Sequence, residues 1–154
     1  MKNFISKSEE ETIDFGKRLG SVLGGGDVIA LCGELGSGKT ILVKGIAEGL
    51  GVKNTEYVNS PSFVILKEYK GKFPLYHFDI YRLGDVSEFS TVGYTEYFYG
   101  NGVSVIEWAD KIIERLPKEF LRIDISIERK KERKLRIVPY GERYGKLAEK
   151  LVRS

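Results

Sequence analysis

Eight consecutive residues, Gly33-Glu34-Leu35-Gly36-Ser37-Gly38-Lys39-Thr40, carry the strongest chemical signal in this chain. They match the pattern G-x-x-x-x-G-K-[ST] and lie between a predicted strand and a predicted helix, the context that gives the pattern meaning. The chemistry explains the spacing. Glycines let successive backbone N–H groups turn inward around a phosphate. The helix that follows adds free N–H groups and a partial positive charge at its N-terminus. Lys39 can then reach the β- and γ-phosphates, and the Thr40 hydroxyl can bind Mg²⁺. The expected nucleotide-binding set is Gly33, Gly36, Ser37, Gly38, Lys39, Thr40 and Ile41. A glycine-rich turn with a chance Gly-Lys-Thr is the bland alternative, and the flanking elements count against it.

Such a loop needs an acid at the end of a core strand to complete a magnesium shell. Two positions qualify: Asp79, after Leu75 to Phe78, and Glu107, after Val103 to Ile106. The base is indicated by absence. No N-K-x-D occurs, and Asp79-Ile80-Tyr81-Arg82 is not D-x-x-G, so ATP is favoured over GTP.

The elements that must position these groups can be read from periodicity. Ser8 to Leu23 reads as a helix, with Ser8 and Glu11 as a capping box and Ile13, Leu19, Val22 and Leu23 as its apolar face. Asp27 to Cys32 is a nearly continuous apolar run, which suits a buried strand. Lys39 to Leu50 is the helix after the loop. Phe63–Leu66 and Leu75–Ile80 read as strands joined by a turn around Gly71 to Pro74, and Val103–Ile106 as another. Asp110 to Leu116 is expected to form a short helix closed by Pro117. Phe120 to Ile127 alternates in period two and pairs with Lys134 to Val138, and Glu142 to Val152 is a terminal helix. The expected fold is α/β: a three-layer, P-loop NTPase-like mixed sheet with flanking helices and a C-terminal antiparallel hairpin.

The 154 residues fit one domain, with no repeat, linker or composition break. Lys and Arg number 25 against 22 Asp and Glu, a net charge of +3 and too mild to signal nucleic-acid binding. With 42% hydrophobic residues and 12% aromatics the chain has the means to build a core. There is no apolar run of membrane-spanning length and no secretory h-region, so a cytoplasmic protein is expected. The single cysteine, Cys32, excludes an intramolecular disulfide and any zinc site that needs two cysteines.

Four short motifs in fixed order narrow the reading further. They are the loop at 33–40, Ser60-Pro61-Ser62-Phe63, His77-Phe78-Asp79-Ile80-Tyr81-Arg82-Leu83 with Gly93, and Ile106-Glu107-Trp108. From about residue 8 to about residue 138 the chain resembles the TsaE (formerly YjeE) family, small bacterial P-loop ATPases of tRNA threonylcarbamoyladenosine biosynthesis. The resemblance implies ATP and Mg²⁺ as cofactors and TsaD and TsaB as protein partners. It implies a role in modifying adenosine 37 of tRNA, in which ATP hydrolysis resets the TsaB–TsaD assembly. It maps Lys39 and Thr40 as phosphate-loop lysine and magnesium ligand, Glu107 as the second magnesium carboxylate, and Asp79 as the Walker-B-like acid. Ser60 and Ser62 fall in a switch-like loop, where Ser62 stands in place of the family's common threonine and keeps the hydroxyl without the methyl. The regions near Ser8 to Thr12 and Arg129 to Arg133 resemble those that flank the adenine.

Two other functions fit the phosphate loop. A small-molecule kinase would normally add an arginine-rich lid, and residues 84–101 hold no arginine or lysine. A binding module that uses ATP as a conformational ligand would bind it without turnover. Among the remaining residues, His77 is the only histidine and reads more readily as a structural residue than as a ligand. Arg82 is a candidate arginine finger, with a salt bridge as the commoner fate.

Overall fold

The computed structural model describes residues 1–59, 66–82 and 93–153. Seven strands form one mixed sheet: β1 (Lys2–Ser6), β2 (Val28–Cys32), β3 (Leu66–Tyr69), β4 (Leu75–Asp79), β5 (Val103–Glu107), β6 (Phe120–Arg129) and β7 (Glu132–Tyr140). Their spatial order is β1-β7-β6-β2-β5-β4-β3. The centre is parallel, with β2 between β5 and β6 and β4 beside β5. The margins are antiparallel: β3 on β4, β7 on β6, and β1 on β7.

Alternation of side chains sorts the sheet into two faces. Ile29, Leu31, Val103 and Val105 pack beneath α1 (Glu9–Val22), α2 (Lys39–Gly49) and α3 (Glu142–Arg153). Val28, Ala30, Cys32 and Ile106 point the other way. Among the described residues that second face is closed by 3-10 turns at Tyr94–Tyr99, Ala109–Lys111 and Ile113–Arg115. All five residues of β2 are buried, which is why it reads as an unbroken apolar run.

Ser8 caps α1 by accepting the Glu11 N–H at 3.1 Å, as the capping box requires. Glu11 returns its carboxylate to the Lys7 N–H instead of that of Ser8. The inward face of α1 is carried by Thr12, Phe15, Gly16, Leu19 and Gly20. Of the four residues expected there, Val22 is exposed and Ile13 half-buried. Glycines decide the difference. Gly16 and Gly20 on α1 meet Gly45 and Gly49 on α2, so the two backbones touch directly.

One further expectation changes. Asp110 to Leu116 forms two 3-10 turns in place of an α-helix, because Ile112 departs from helical dihedrals. Ala109, Ile112 and Leu116 all reach the second core by this route. Strand β3 is described over Leu66–Tyr69, and of the expected strand Phe63–Leu66 the residues Phe63 to Ile65 lie outside the described residues. Strand β1 has no counterpart in the sequence reading. No helix among the described residues is long and apolar enough to cross a membrane.

Candidate functional site

The phosphate loop joins the C-terminal end of β2 to α2, at the central strand of the sheet. Gly36 and Gly38 take left-handed backbone angles, with φ of 79° and 108°, which favour glycine over any residue with a Cβ. Gly38 is the N-cap of α2 and offers no side-chain cap. The first N–H groups of α2 are therefore left for a ligand.

Lys39 lies across the mouth of the loop. Its ammonium donates to Gly33 O at 2.6 Å and Glu34 O at 2.9 Å, and sits 4.0 Å from the centre of the Trp108 ring. Only 5% of the residue is exposed. Burial pushes the ammonium below its ordinary pKa, while the charges of Glu107, Asp79 and Asp110 oppose that shift.

The adjacent residue, Thr40, turns to the other side. Its Oγ1 is 3.1 Å from each carboxylate oxygen of Glu107, the last residue of β5. Glu107 is buried, and its Oε2 is 2.6 Å from His77 Nε2 on neighbouring β4. Asp79, two residues on from His77, pairs in register with Glu107. Its Oδ1 accepts the Tyr81 N–H at 3.0 Å. Leu35, Gly36, Gly38, Lys39, Thr40, Ile41, Asp79, Glu107 and Trp108 surround one open cavity of about 280 Å³. A hydroxyl and two carboxylates converge beside a lysine and a helix N-terminus. That donor set suits a hard divalent cation with an anionic ligand.

A second cavity of about 110 Å³ adjoins the first through Gly36, Gly38 and Ile41. Its other walls are Ser8, Glu9 and Thr12 of the α1 start and Lys131 and Arg133 of the β6–β7 hairpin. The two segments named in the sequence analysis thus meet over the loop. Arg133 does more than line a wall: its Nε donates to Ser37 O at 3.0 Å and its Nη2 lies 3.5 Å from Gly36 O.

Of the expected site residues, the phosphate-loop set, Asp79 and Glu107 come together. Ser60 and Ser62 lie outside the described residues. The sequence reading passed over three contributions: His77 as partner of Glu107, Trp108 as cover for Lys39, and Arg133 as brace for the loop. Trp108 carried one usable signal, its place after a strand-end acid. It sits in the left-handed region at φ 62°, a strained conformation for a residue with a Cβ, and such strain gathers at functional sites.

The central parallel strand, the glycine loop and the helix capped by Gly38 define a P-loop NTPase-like protein. The comparisons with known proteins agree and go further. The family model described as "Threonylcarbamoyl adenosine biosynthesis protein TsaE" matches residues 6–135. The chain belongs to the TsaE family. The tRNA threonylcarbamoyladenosine biosynthesis protein TsaE of Bacillus subtilis is 48% identical over 145 residues, covering 94% of this chain and 89% of its own. Its counterpart in Treponema pallidum is 40% identical, covering 80% and 90%. The crystal structure of Bacillus subtilis YdiB superposes with a TM-score of 0.81 at 39% identity, over 99% of this chain and 94% of that one.

Proposed function

We propose that this chain is a Mg²⁺-dependent ATPase acting as an accessory subunit with TsaB and TsaD in tRNA N6-threonylcarbamoyladenosine modification in the cytoplasm. The observation that carries the catalytic part is the contact of Thr40 Oγ1 with both oxygens of Glu107, beside Lys39, at the mouth of a glycine loop. Family membership supports the pathway.

In this reading the loop N–H groups and the Lys39 ammonium hold the β- and γ-phosphates. Thr40 and Glu107 would supply the protein ligands for magnesium. Among the described residues no three His, Cys, Asp or Glu side chains converge as a metal cluster. Phosphate and water would supply the remaining ligands of a bound ion. Bound magnesium would offset the charge that develops on the phosphate oxygens. Asp79 orients water on the strand next to Glu107. The purine end lies toward the second cavity, between Ser8, Thr12, Lys131 and Arg133. Most of the rate gain is positioning and electrostatics fixed in advance.

The test is ATP hydrolysis by the full chain, alone and with purified TsaB and TsaD, with Lys39→Ala as the blank. Stimulation by the pair, lost in Lys39→Ala along with tight ATP binding, is the expected result. Binding of ATP without turnover under any condition would favour the binding-module reading. Phosphate appearing on a small acceptor would favour a kinase.

A further inference from the structure

The sheet buries one polar pair that the phosphate loop does not itself require. His77 is fully buried, and its Nε2 lies 2.6 Å from Glu107 Oε2 across two neighbouring strands. His77 and Asp79 alternate along β4 onto the face that carries Glu107 on β5, so the sheet register sets this meeting. A buried carboxylate must be hydrogen-bonded or it loses its charge. Among the described residues Glu107 has two side-chain donors, Thr40 Oγ1 and His77 Nε2. The Thr40 bond is the one a cation would replace. The His77 bond is the one that would remain.

The other ring nitrogen supports a fixed orientation. Among the described residues His77 Nδ1 has no hydrogen-bond partner. A ring with its proton on Nε2 donates to the carboxylate and leaves a bare acceptor at Nδ1. The opposite tautomer would bury an N–H with no partner and set two acceptors against each other. Metal-binding groups are commonly held in this manner from behind.

We propose that His77 is a positioning residue: its Nε2–H bond fixes the Glu107 carboxylate so that both oxygens face Thr40, and so builds the protein half of the divalent-cation site before the cation arrives. This inference rests on the Mg²⁺-ATPase reading above. It differs from a merely structural role in what it predicts. A core pair that only stabilises the fold would lower the melting temperature and leave the magnesium requirement unchanged.

The experiment measures binding of a non-hydrolysable ATP analogue by calorimetry across a MgCl₂ series, and again in EDTA. His77→Leu removes the donor at similar volume. His77→Asn keeps an amide too short to reach Glu107. His77→Gln restores a donor at the distance of Nε2. His77→Leu and His77→Asn are expected to raise the magnesium midpoint by roughly 10–100-fold. Their affinity in EDTA should stay within about twofold of the parent chain, and His77→Gln should recover most of the midpoint. If His77→Leu fails to fold, the His77→Asn and His77→Gln pair decides the matter. Equal midpoints for those two, or equal losses with and without magnesium, overturn the proposal. A parent chain with no magnesium-dependent binding, or with binding indifferent to Lys39→Ala, overturns the ATPase reading and this inference with it. A normal parent response with unmoved His77 variants overturns this inference alone.

Discussion

Lys39 shows what a side chain gives up to serve a site. Its ammonium is nearly out of water, held by two backbone carbonyls and the face of Trp108. Burial lowers its pKa from the ordinary lysine value. Phosphate prefers the protonated form, so affinity falls as pH rises through the lysine's own pKa. The fall should therefore begin below the range where an exposed lysine titrates. A plot of ATP-analogue affinity against pH, which bends at the free protein's value, checks this. The sign for stability is the reverse. The unfolded chain holds that proton more tightly, so the unliganded fold gains stability as pH rises across the same window. The phosphate loop was legible from sequence because all its parts lie within eight residues. The pairing of His77 with Glu107 was not, because it spans 30 residues and depends on the register of two strands. Nothing local to either residue encodes that register.

At the scale of elements, α1 and α2 approach backbone to backbone along their glycines. A Cβ on Gly45 would stand 2.3 Å from Ile13 O, and one on Gly16 would stand 2.7 Å from Leu42 O. Neither neighbour can swing aside. Gly45→Ala should destabilise the fold by about 1–3 kcal/mol, because the helices must separate to admit the methyl. Gly145→Ala on α3 is the contrast. Nothing lies within 4 Å of its added Cβ, and a helix-interior glycine costs about 0.5–1 kcal/mol relative to alanine. That variant should melt higher than the parent chain and Gly45→Ala lower, by thermal unfolding. The glycines also account for the misread face of α1, since hydrophobic periodicity finds contacts made by side chains and misses a contact made by their absence. The same limit hid β1. It is a five-residue edge strand in which Lys2, Asn3 and Ile5 are exposed and only Ser6 is buried, and it carries little apolar pattern.

The whole molecule is closed by one buried carboxylate. Asp27, in the turn before β2, accepts from Arg143 Nε at 2.8 Å, from Arg143 Nη2 at 2.5 Å, from Tyr144 Oη at 3.0 Å and from Gly24 N–H at 2.7 Å. Tyr144 Oη in turn accepts the Val28 N–H at 3.0 Å. The start of the central strand is thereby tied to the C-terminal helix. Burial raises the Tyr144 hydroxyl above its ordinary pKa. Asp27→Asn keeps the shape and sets an amide N–H₂ against the donors. It should cost about 1–3 kcal/mol, read from a denaturant melt, with nucleotide affinity retained below the transition. The α/β architecture with its mixed sheet and the C-terminal hairpin could be foreseen from alternation and glycine punctuation. This clasp could not, since its partners lie 116 and 117 residues apart.

The brace from Arg133 to the Ser37 carbonyl spans 96 residues. The strand that feeds the loop has β6 as one of its two neighbours. Along the chain the glycine motif comes well before the strand and the arginine that hold it in shape. A product that stops short of β6 carries every residue of the motif yet lacks the scaffold that presents it. The shape of the loop is thus a property of the folded sheet and not of its eight residues by themselves.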